Sequence, residues 1–238
     1  MNRTELPVRE LEADLVKAVR SGCRRLIIQA PTGSGKSTQI PQMLLDRDLA
    51  GSGQIAILEP RRLAARMLAA RVARERGSVL GETVGYQIRF DDHSSPRTRI
   101  KFVTEALLFR KLLGDPRLAG INAVIFDEFH ERHLFTDLTL GRVCELQESQ
   151  RPELLILVMS ATLDTDLLET FLKPCRLLKT EGRQYPVKIH YLDRAPDPFR
   201  VPVWTLAATE TRQLLQINPR EGDILIFMPG AYEIGKTI

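Results

Sequence analysis

Cysteine is scarce in this chain. Its 238 residues hold three, Cys23, Cys144 and Cys175, far apart, odd in number and without a C-x-x-C pair. That pattern excludes a disulfide framework and offers no zinc spacing. The expected state is three small, partly buried thiols in a reducing cytoplasm. No apolar run approaches the ~20 residues that cross a bilayer. The stretch Arg9 to Arg20 is amphipathic and mixed in charge, unlike a secretory leader. Internal repeats and low-complexity segments are absent too. No sign of charge dominates: 34 Lys and Arg face 30 Asp and Glu, a net +4 with pI near 9.1. Such a balance admits an anionic partner without requiring one. With 43% hydrophobic and 27% charged residues, the composition is that of an ordinary globular protein.

What is present is a strong local pattern. Leu26 to Gln29 reads as a buried strand, followed by Ala30-Pro31-Thr32-Gly33-Ser34-Gly35-Lys36-Ser37-Thr38. This fits the P-loop template, with Ala30 in place of the first glycine. Thr32, Gly33, Ser34 and Gly35 supply a turn whose backbone N–H groups form a nest for anionic oxygens, reinforced by a helix dipole. Lys36 supplies a cation for the outer phosphates. The Ser37 hydroxyl suits Mg²⁺, which prefers oxygen donors, and Thr38 continues the turn. The bland alternative is a glycine-rich turn beside a surface lysine.

The rest of the chain alternates strands with helices. Pro7 to Arg20 is expected to be one amphipathic helix, with Leu11, Leu15, Val16 and Val19 on one face. Strands are expected at Ile55–Leu58, Arg99–Val103, Ala123–Phe126 and Leu154–Met159. Helices are expected from Gly35, from Pro60 to about Arg76, from a Thr104 cap to Leu113, over Leu134–Glu148, and from an Asp164 cap to Leu172. Pro41 removes a ladder hydrogen bond early in the helix from Gly35. Gly81–Phe90 reads as irregular or extended and Asp91–Arg97 as a polar loop. The alternation predicts an α/β fold with a parallel sheet flanked by helices. Gly182 and Pro186 mark a junction, which divides the chain into residues 1–181 and 182–238. Beyond it, strands are expected at Val187–Leu192 and Asp223–Met228, with helices over Val203–Ile217 and from Ala231. About fifty residues cannot complete a second α/β domain, so the sequence is expected to be a piece of a longer one.

Asp127-Glu128-Phe129-His130 directly follows an apolar strand. In a parallel sheet the carboxyl ends of strands line the ligand crevice, so this tetrad should face the P-loop. Asp127 is assigned to the metal shell. Glu128 is assigned to the attacking water, with a part in the same shell. The alternative is a surface loop in which both acids pair with Arg132. His130 and His133 lack the further Cys or His that zinc would need. Ser160 and Thr162 end the next strand, where their hydroxyls could bond His130. Pro60-Arg61-Arg62 opens a helix whose N–H groups and arginine suit a nucleic-acid phosphate. A capped helix with solvated arginines is the alternative.

APTGSGKST, PRRLAAR, VGYQIRFDD, TEALLFR, DEFHER, MSATLD, EGRQYPV and ILIFMPG occur in one order. With this set the chain resembles superfamily 2 helicases of the DEAH/RHA type, most nearly the bacterial HrpB-like branch. The resemblance runs from about Leu6 to the last residue. It implies two RecA-like domains, the second only begun here, with ATP and Mg²⁺ in the cleft between them. It also implies hydrolysis coupled to 3′-to-5′ movement on single-stranded RNA or DNA, RNA being favoured, with broad tolerance of nucleotide base. A protein activator is compatible with it. The resemblance assigns Lys36, Asp127 and Glu128 to hydrolysis, and His130, Ser160 and Thr162 to coupling. It places Arg61, Arg62, Thr104 and Glu105 on the strand-binding face and Arg71 against the nucleotide base. Ala106 stands where the family has glycine. Downstream arginine fingers lie outside these residues, so this stretch alone is expected to hydrolyse nucleotide poorly. A nucleotide-switched clamp that binds nucleic acid or protein without unwinding is the competing reading. A P-loop kinase or transporter ATPase fits DEFH, SAT and PRR less well.

Overall fold

A computed structural model describes residues 6–161, 166–181, 187–192, 200–217 and 222–238. These fall into two compact units, Met1–Gln184 and Tyr185–Ile238.

The first unit is built on continuous apolar runs. Leu26, Ile27 and Ile28 in β1 (Arg25–Gln29), Ile55 to Leu58 in β2 (Gln54–Glu59), and Ala123 to Phe126 in β6 (Ile121–Phe126) are all buried. So are Leu155 to Met159 in β7 (Leu155–Ser160). A strand buried on both faces has no polar alternation, which marks the centre of a parallel sheet. The sheet has eight strands in the order β4-β3-β5-β2-β6-β7-β1-β8. The members still unnamed are β3 (Val84–Ile88), β4 (Asp91–His93), β5 (Ile100–Thr104) and β8 (Arg176–Lys179). All pairings are parallel except that of β3 with β4.

Two hydrophobic layers cover the sheet. One packs α1 (Glu12–Arg20), α2 (Lys36–Asp46) and α3 (Arg62–Glu75) against Ile28, Ile57, Phe102, Ile125 and Leu157. The other packs α4 (Glu105–Gly114), α5 (Leu134–Ser149) and α6 (Asp166–Leu172) against Leu58, Val103, Val124, Phe126 and Val158. Alternate residues of one strand thus enter opposite layers.

Several local expectations are corrected. The first helix is split into a 3₁₀ turn, Pro7–Leu11, and α1. Pro60 precedes α3, whose N-cap is Arg61. Thr104 is the N-cap of α4 by backbone position, without a side-chain capping bond. Asp91–His93 is a strand, not a loop: it pairs with Tyr86, Gln87 and Ile88, and Tyr86 Oη donates to Asp91 Oδ2 at 3.0 Å. The strand β8 has no counterpart among the expected elements. Asp164 lies outside the described residues.

The second unit contains α7 (Val203–Ile217) and α8 (Ala231–Thr237), joined by an edge-to-face contact of Trp204 with Tyr232. Residues 187–192 and 223–228, expected as strands, form none. A strand exists through its ladder to a neighbour, and no paired strand occurs among the described residues of this unit. The three thiols are free; Cys144 is buried, which pushes its pKa up to about 11.

Candidate functional site

The carboxyl ends of β1, β2, β6 and β7 meet at one edge of the sheet. After β1 the chain turns through Gly33 and Gly35, at φ +80 and +90, and enters α2 at Lys36. These left-handed values favour glycine. At Gly35 a Cβ would also lie 3.0 Å from Leu6 Cδ1. The Lys36 side chain is only 3% exposed, and its Nζ donates to Glu128 Oε1 at 2.9 Å. The P-loop and the DEFH tetrad, 92 residues apart in sequence, therefore touch.

Asp127 lies at the end of β6 and is buried. Its Oδ1 accepts the Glu128 N–H at 2.9 Å, and the Ser37 side chain hydrogen-bonds the same carboxyl. Glu128 itself holds φ +46 and ψ +40, a left-handed backbone. Such a conformation costs on the order of 1–3 kcal/mol and concentrates at working sites. Here it aims one carboxylate oxygen at Lys36 and the other at His130 Nδ1, 3.3 Å away. The same nitrogen is 3.5 Å from the Ala161 N–H, just past Ser160 at the end of β7. The described link from the β7 end to His130 is thus a backbone amide. Ser160 is buried at the strand end, and Thr162 lies outside the described residues.

A residue absent from the expected set completes this cluster. Glu59 ends β2, one step beyond the Leu58–Phe126 register pair, so it stands beside Asp127 on the neighbouring strand. Glu59 is 2% exposed. Its Oε1 and the Asp127 Oδ2 are buried oxygens with no hydrogen-bond partner among the described residues. Burial pushes both acids toward their protonated forms, and the charge of Asp127 pushes Glu59 further up, to about 10, so Glu59 is held protonated at neutral pH. A folded-state pKa above the ordinary 4.5 means that folding takes up a proton, so stability falls as pH rises from 4.5 toward the raised value. In metal-free protein, Glu59→Gln is expected to keep the shape of the side chain and remove this penalty. Its unfolding free energy at pH 8 should exceed the parent's by about 1–3 kcal/mol, the gap closing toward pH 4.5. Parallel stability-versus-pH curves for the two proteins would contradict it.

The cluster opens into a cavity of about 740 Å³ lined by the P-loop, by Glu128, and by Arg71, Arg74 and Glu75 of α3. Arg71 Nε donates to Glu75 Oε1 at 2.6 Å, and Glu75 Oε2 accepts from Gln39 at 2.9 Å and Gln42 at 3.0 Å. Buried glutamines of α2 thus anchor the α3 rim. Arg71 remains 59% exposed and able to face a ligand. The donors around Asp127 and Ser37 are oxygens, and one of them, the buried Asp127 Oδ2, has no hydrogen-bond partner among the described residues. That set fits a hard divalent cation such as Mg²⁺.

A family model described as DEAD/DEAH box helicase matches residues 9–170. The chain belongs to the DEAD/DEAH box helicase family. It is 41% identical over 240 residues to a probable ATP-dependent RNA helicase of Saccharomyces cerevisiae, DHR2, covering 99% of this chain and 32% of the relative. It is 36% identical over 236 residues to the probable ATP-dependent RNA helicase DHX40 of Homo sapiens, covering 97% and 30%. Among solved structures, the Escherichia coli DEAH/RHA helicase HrpB aligns with a TM-score of 0.87 at 39% identity, over 98% of this chain and 29% of that one. The chain therefore spans about a third of the length of these relatives. Its α/β sheet is that of a RecA-like helicase domain.

The remaining candidate residues of this helicase domain lie around the site or away from it. Thr32 and Ser34 sit in the P-loop turn, exposed and buried respectively, and do not line the cavity. Gly33, Gly35, Ser37 and Thr38 do. Arg61 is 71% exposed and pairs with Glu131 at 2.7 Å. Arg62 is exposed at the first turn of α3. Thr104 begins α4. Glu105 does not face solvent freely, since its Oε1 accepts from Thr136 and contacts His133 Nδ1 at 3.0 Å. It ties α4 to the start of α5. Arg132 pairs with Asp137 at 2.9 Å, not with Asp127 or Glu128. Glu59 was missed because nothing in its local pattern signals burial; only its place directly before Pro60-Arg61-Arg62, at a strand end, could have drawn notice.

Proposed function

We propose that this chain is the ATP-hydrolysing first RecA-like domain of an RNA-directed DEAH-type helicase, with residues 182–238 beginning a second such domain. The observation that carries the reading is the 2.9 Å contact between Lys36 and Glu128, which puts a phosphate-binding cation and a candidate base in one cavity. In this reading Gly33 to Thr38 cradle the phosphates, and Lys36 leaves Glu128 to neutralise them. Ser37 and Asp127 would hold Mg²⁺, which supplies charge neutralisation at the phosphates when bound. Glu128, freed of Lys36, orients a water and accepts its proton. His130 carries the change to the end of β7 through the Ala161 amide. Arg71 stacks on the nucleotide base. Arg61, Arg62 and Thr104 face the nucleic-acid strand, whose phosphates dominate binding. Relatives named as ATP-dependent RNA helicases support RNA over DNA.

The test is ATP turnover of residues 1–238 and of a longer chain, titrated with single-stranded RNA, single-stranded DNA and duplexes. The expected result is RNA-stimulated turnover by the longer chain, with the shorter one slow. The slow rate follows from the thousandfold or greater effect of an arginine supplied across such clefts. ATP binding without turnover in the longer chain, with any RNA, would favour the clamp reading instead.

A further inference from the structure

The cleft under α4 lies on the face of the sheet that α4 covers, whereas the P-loop cavity is lined by α2 and α3 of the other layer. Gln54 and Ile121 open their strands and Lys101 is the second residue of β5, whereas Glu59 and Asp127 stand at strand ends. Along β2 the separation from Gln54 to Glu59 is roughly 17 Å at ~3.3 Å per residue. The cleft has a volume of about 370 Å³.

Its electrostatics are unbalanced. The Lys101 side chain is 15% exposed and forms a long ion pair with Asp92, at 3.8 Å. Arg110 and Lys111, on α4, face the same cleft. Neither side chain has a hydrogen bond or ion pair among the described residues, and both are exposed. Three cations thus line one concavity, and one carboxylate, Asp92, pairs with Lys101. Burial presses Lys101 toward its neutral form, the charge of Asp92 opposes that, and the charge of Lys111 adds to it. The exposed Arg110 and Lys111 beside it gather like charge that an anion between them would relieve.

The floor is of a different kind. Ala56, Val103 and Leu108, buried members of the apolar layer between α4 and the sheet, line it. Gln87 adds a carboxamide, which combines donor and acceptor as the edge of a base does, and Gln54 adds the oxygen of one whose nitrogen donates to the Thr98 carbonyl at 2.9 Å. A bare inorganic anion would leave that floor wet. The volume is at the small end of the ~300–1000 Å³ typical of small-ligand sites, which suits one planar ring with one phosphate.

We propose that this cleft binds a single nucleotide unit, its phosphate on Lys101, Arg110 and Lys111 and its base over Ala56, Val103 and Leu108. The unit comes either from a free mononucleotide or from a polynucleotide chain. The proposal does not depend on the P-loop assignment.

Lysine acylation followed by mass spectrometry tests it on the whole chain at matched ionic strength, with AMP, a short single-stranded oligoribonucleotide and inorganic phosphate as probes. AMP is expected to slow acylation of Lys101 and Lys111 several-fold while leaving Lys17, on α1, unchanged. Arg110→Ala should raise the AMP concentration needed by about tenfold or more, the scale of one charge-assisted hydrogen bond. Lys101→Met, with an unchanged thermal midpoint, should abolish protection of Lys111. Protection by the oligoribonucleotide alone supports the proposal and names the chain as the source. Equal protection by inorganic phosphate would overturn it, because the apolar floor would then contribute nothing. Absence of protection by every probe, or protection indifferent to Arg110→Ala, would overturn it as well.

Discussion

Replacing Glu128 with Gln is expected to lower RNA-stimulated ATP turnover by about 10²–10⁴-fold, the range of a lost general base. Nucleotide affinity should stay within a few-fold of the parent. The amide keeps the shape of the carboxylate, and its oxygen still accepts from Lys36 Nζ, 2.9 Å away in the parent. What it loses is basicity toward a water proton. It also loses the charge that faces His130 at 3.3 Å, so coupling to β7 weakens with it. Turnover and ATP binding measured on the same preparation separate the two effects. A variant that retains turnover within tenfold of the parent would remove Glu128 from the hydrolytic role. The left-handed backbone at this position makes a second comparison informative. Glu128→Gly relaxes the backbone and deletes the side chain together, so it should match the glutamine variant in turnover while differing from it in stability.

Phe102→Ala is expected to cost about 3–5 kcal/mol of stability, through lost burial and the cavity left behind. Phe102 is fully buried in β5, in the layer between the sheet and α2 and α3. It has no contact with the candidate site. For a domain of this size the loss should lower the melting temperature by roughly 10 °C. Thermal unfolding followed by circular dichroism checks it. Nucleotide binding at low temperature should persist, because the P-loop and β6 end are positioned by β1 and β6, not by β5. A midpoint shift of less than 2 °C would mean that the layer repacks around the gap, contrary to a core packed at crystal-like density. The two substitutions thus pull apart: one removes rate without stability, the other stability without the site.

How much was legible in the sequence depends on the distance over which a signal acts. The central strands were readable because a strand buried on both faces leaves an uninterrupted apolar run, as in Ala123 to Phe126. The P-loop was readable because its glycines, Lys36 and Ser37 are contiguous. The edges were not. Asp91-Asp92-His93 is polar, and becomes a strand only because Tyr86, Gln87 and Ile88 lie beside it. Arg176–Lys179 is too short to show alternation, and it is recruited by β1. Conversely, Val187–Leu192 and Asp223–Met228 carry strand-like composition and yet are not strands. Composition supplies propensity, while a ladder requires a partner.

The amino-acid order alone determined the fold class, the family and the candidate phosphate-site residues, because each rests on short contiguous patterns and their succession. Tertiary structure alone decided that Lys36 meets Glu128, that Glu59 is buried beside Asp127, and that Glu105 is spent on α5. It alone gathered Lys101, Arg110 and Lys111 around one cleft. Those facts arise from strand order and register, which bring together side chains that the chain holds far apart.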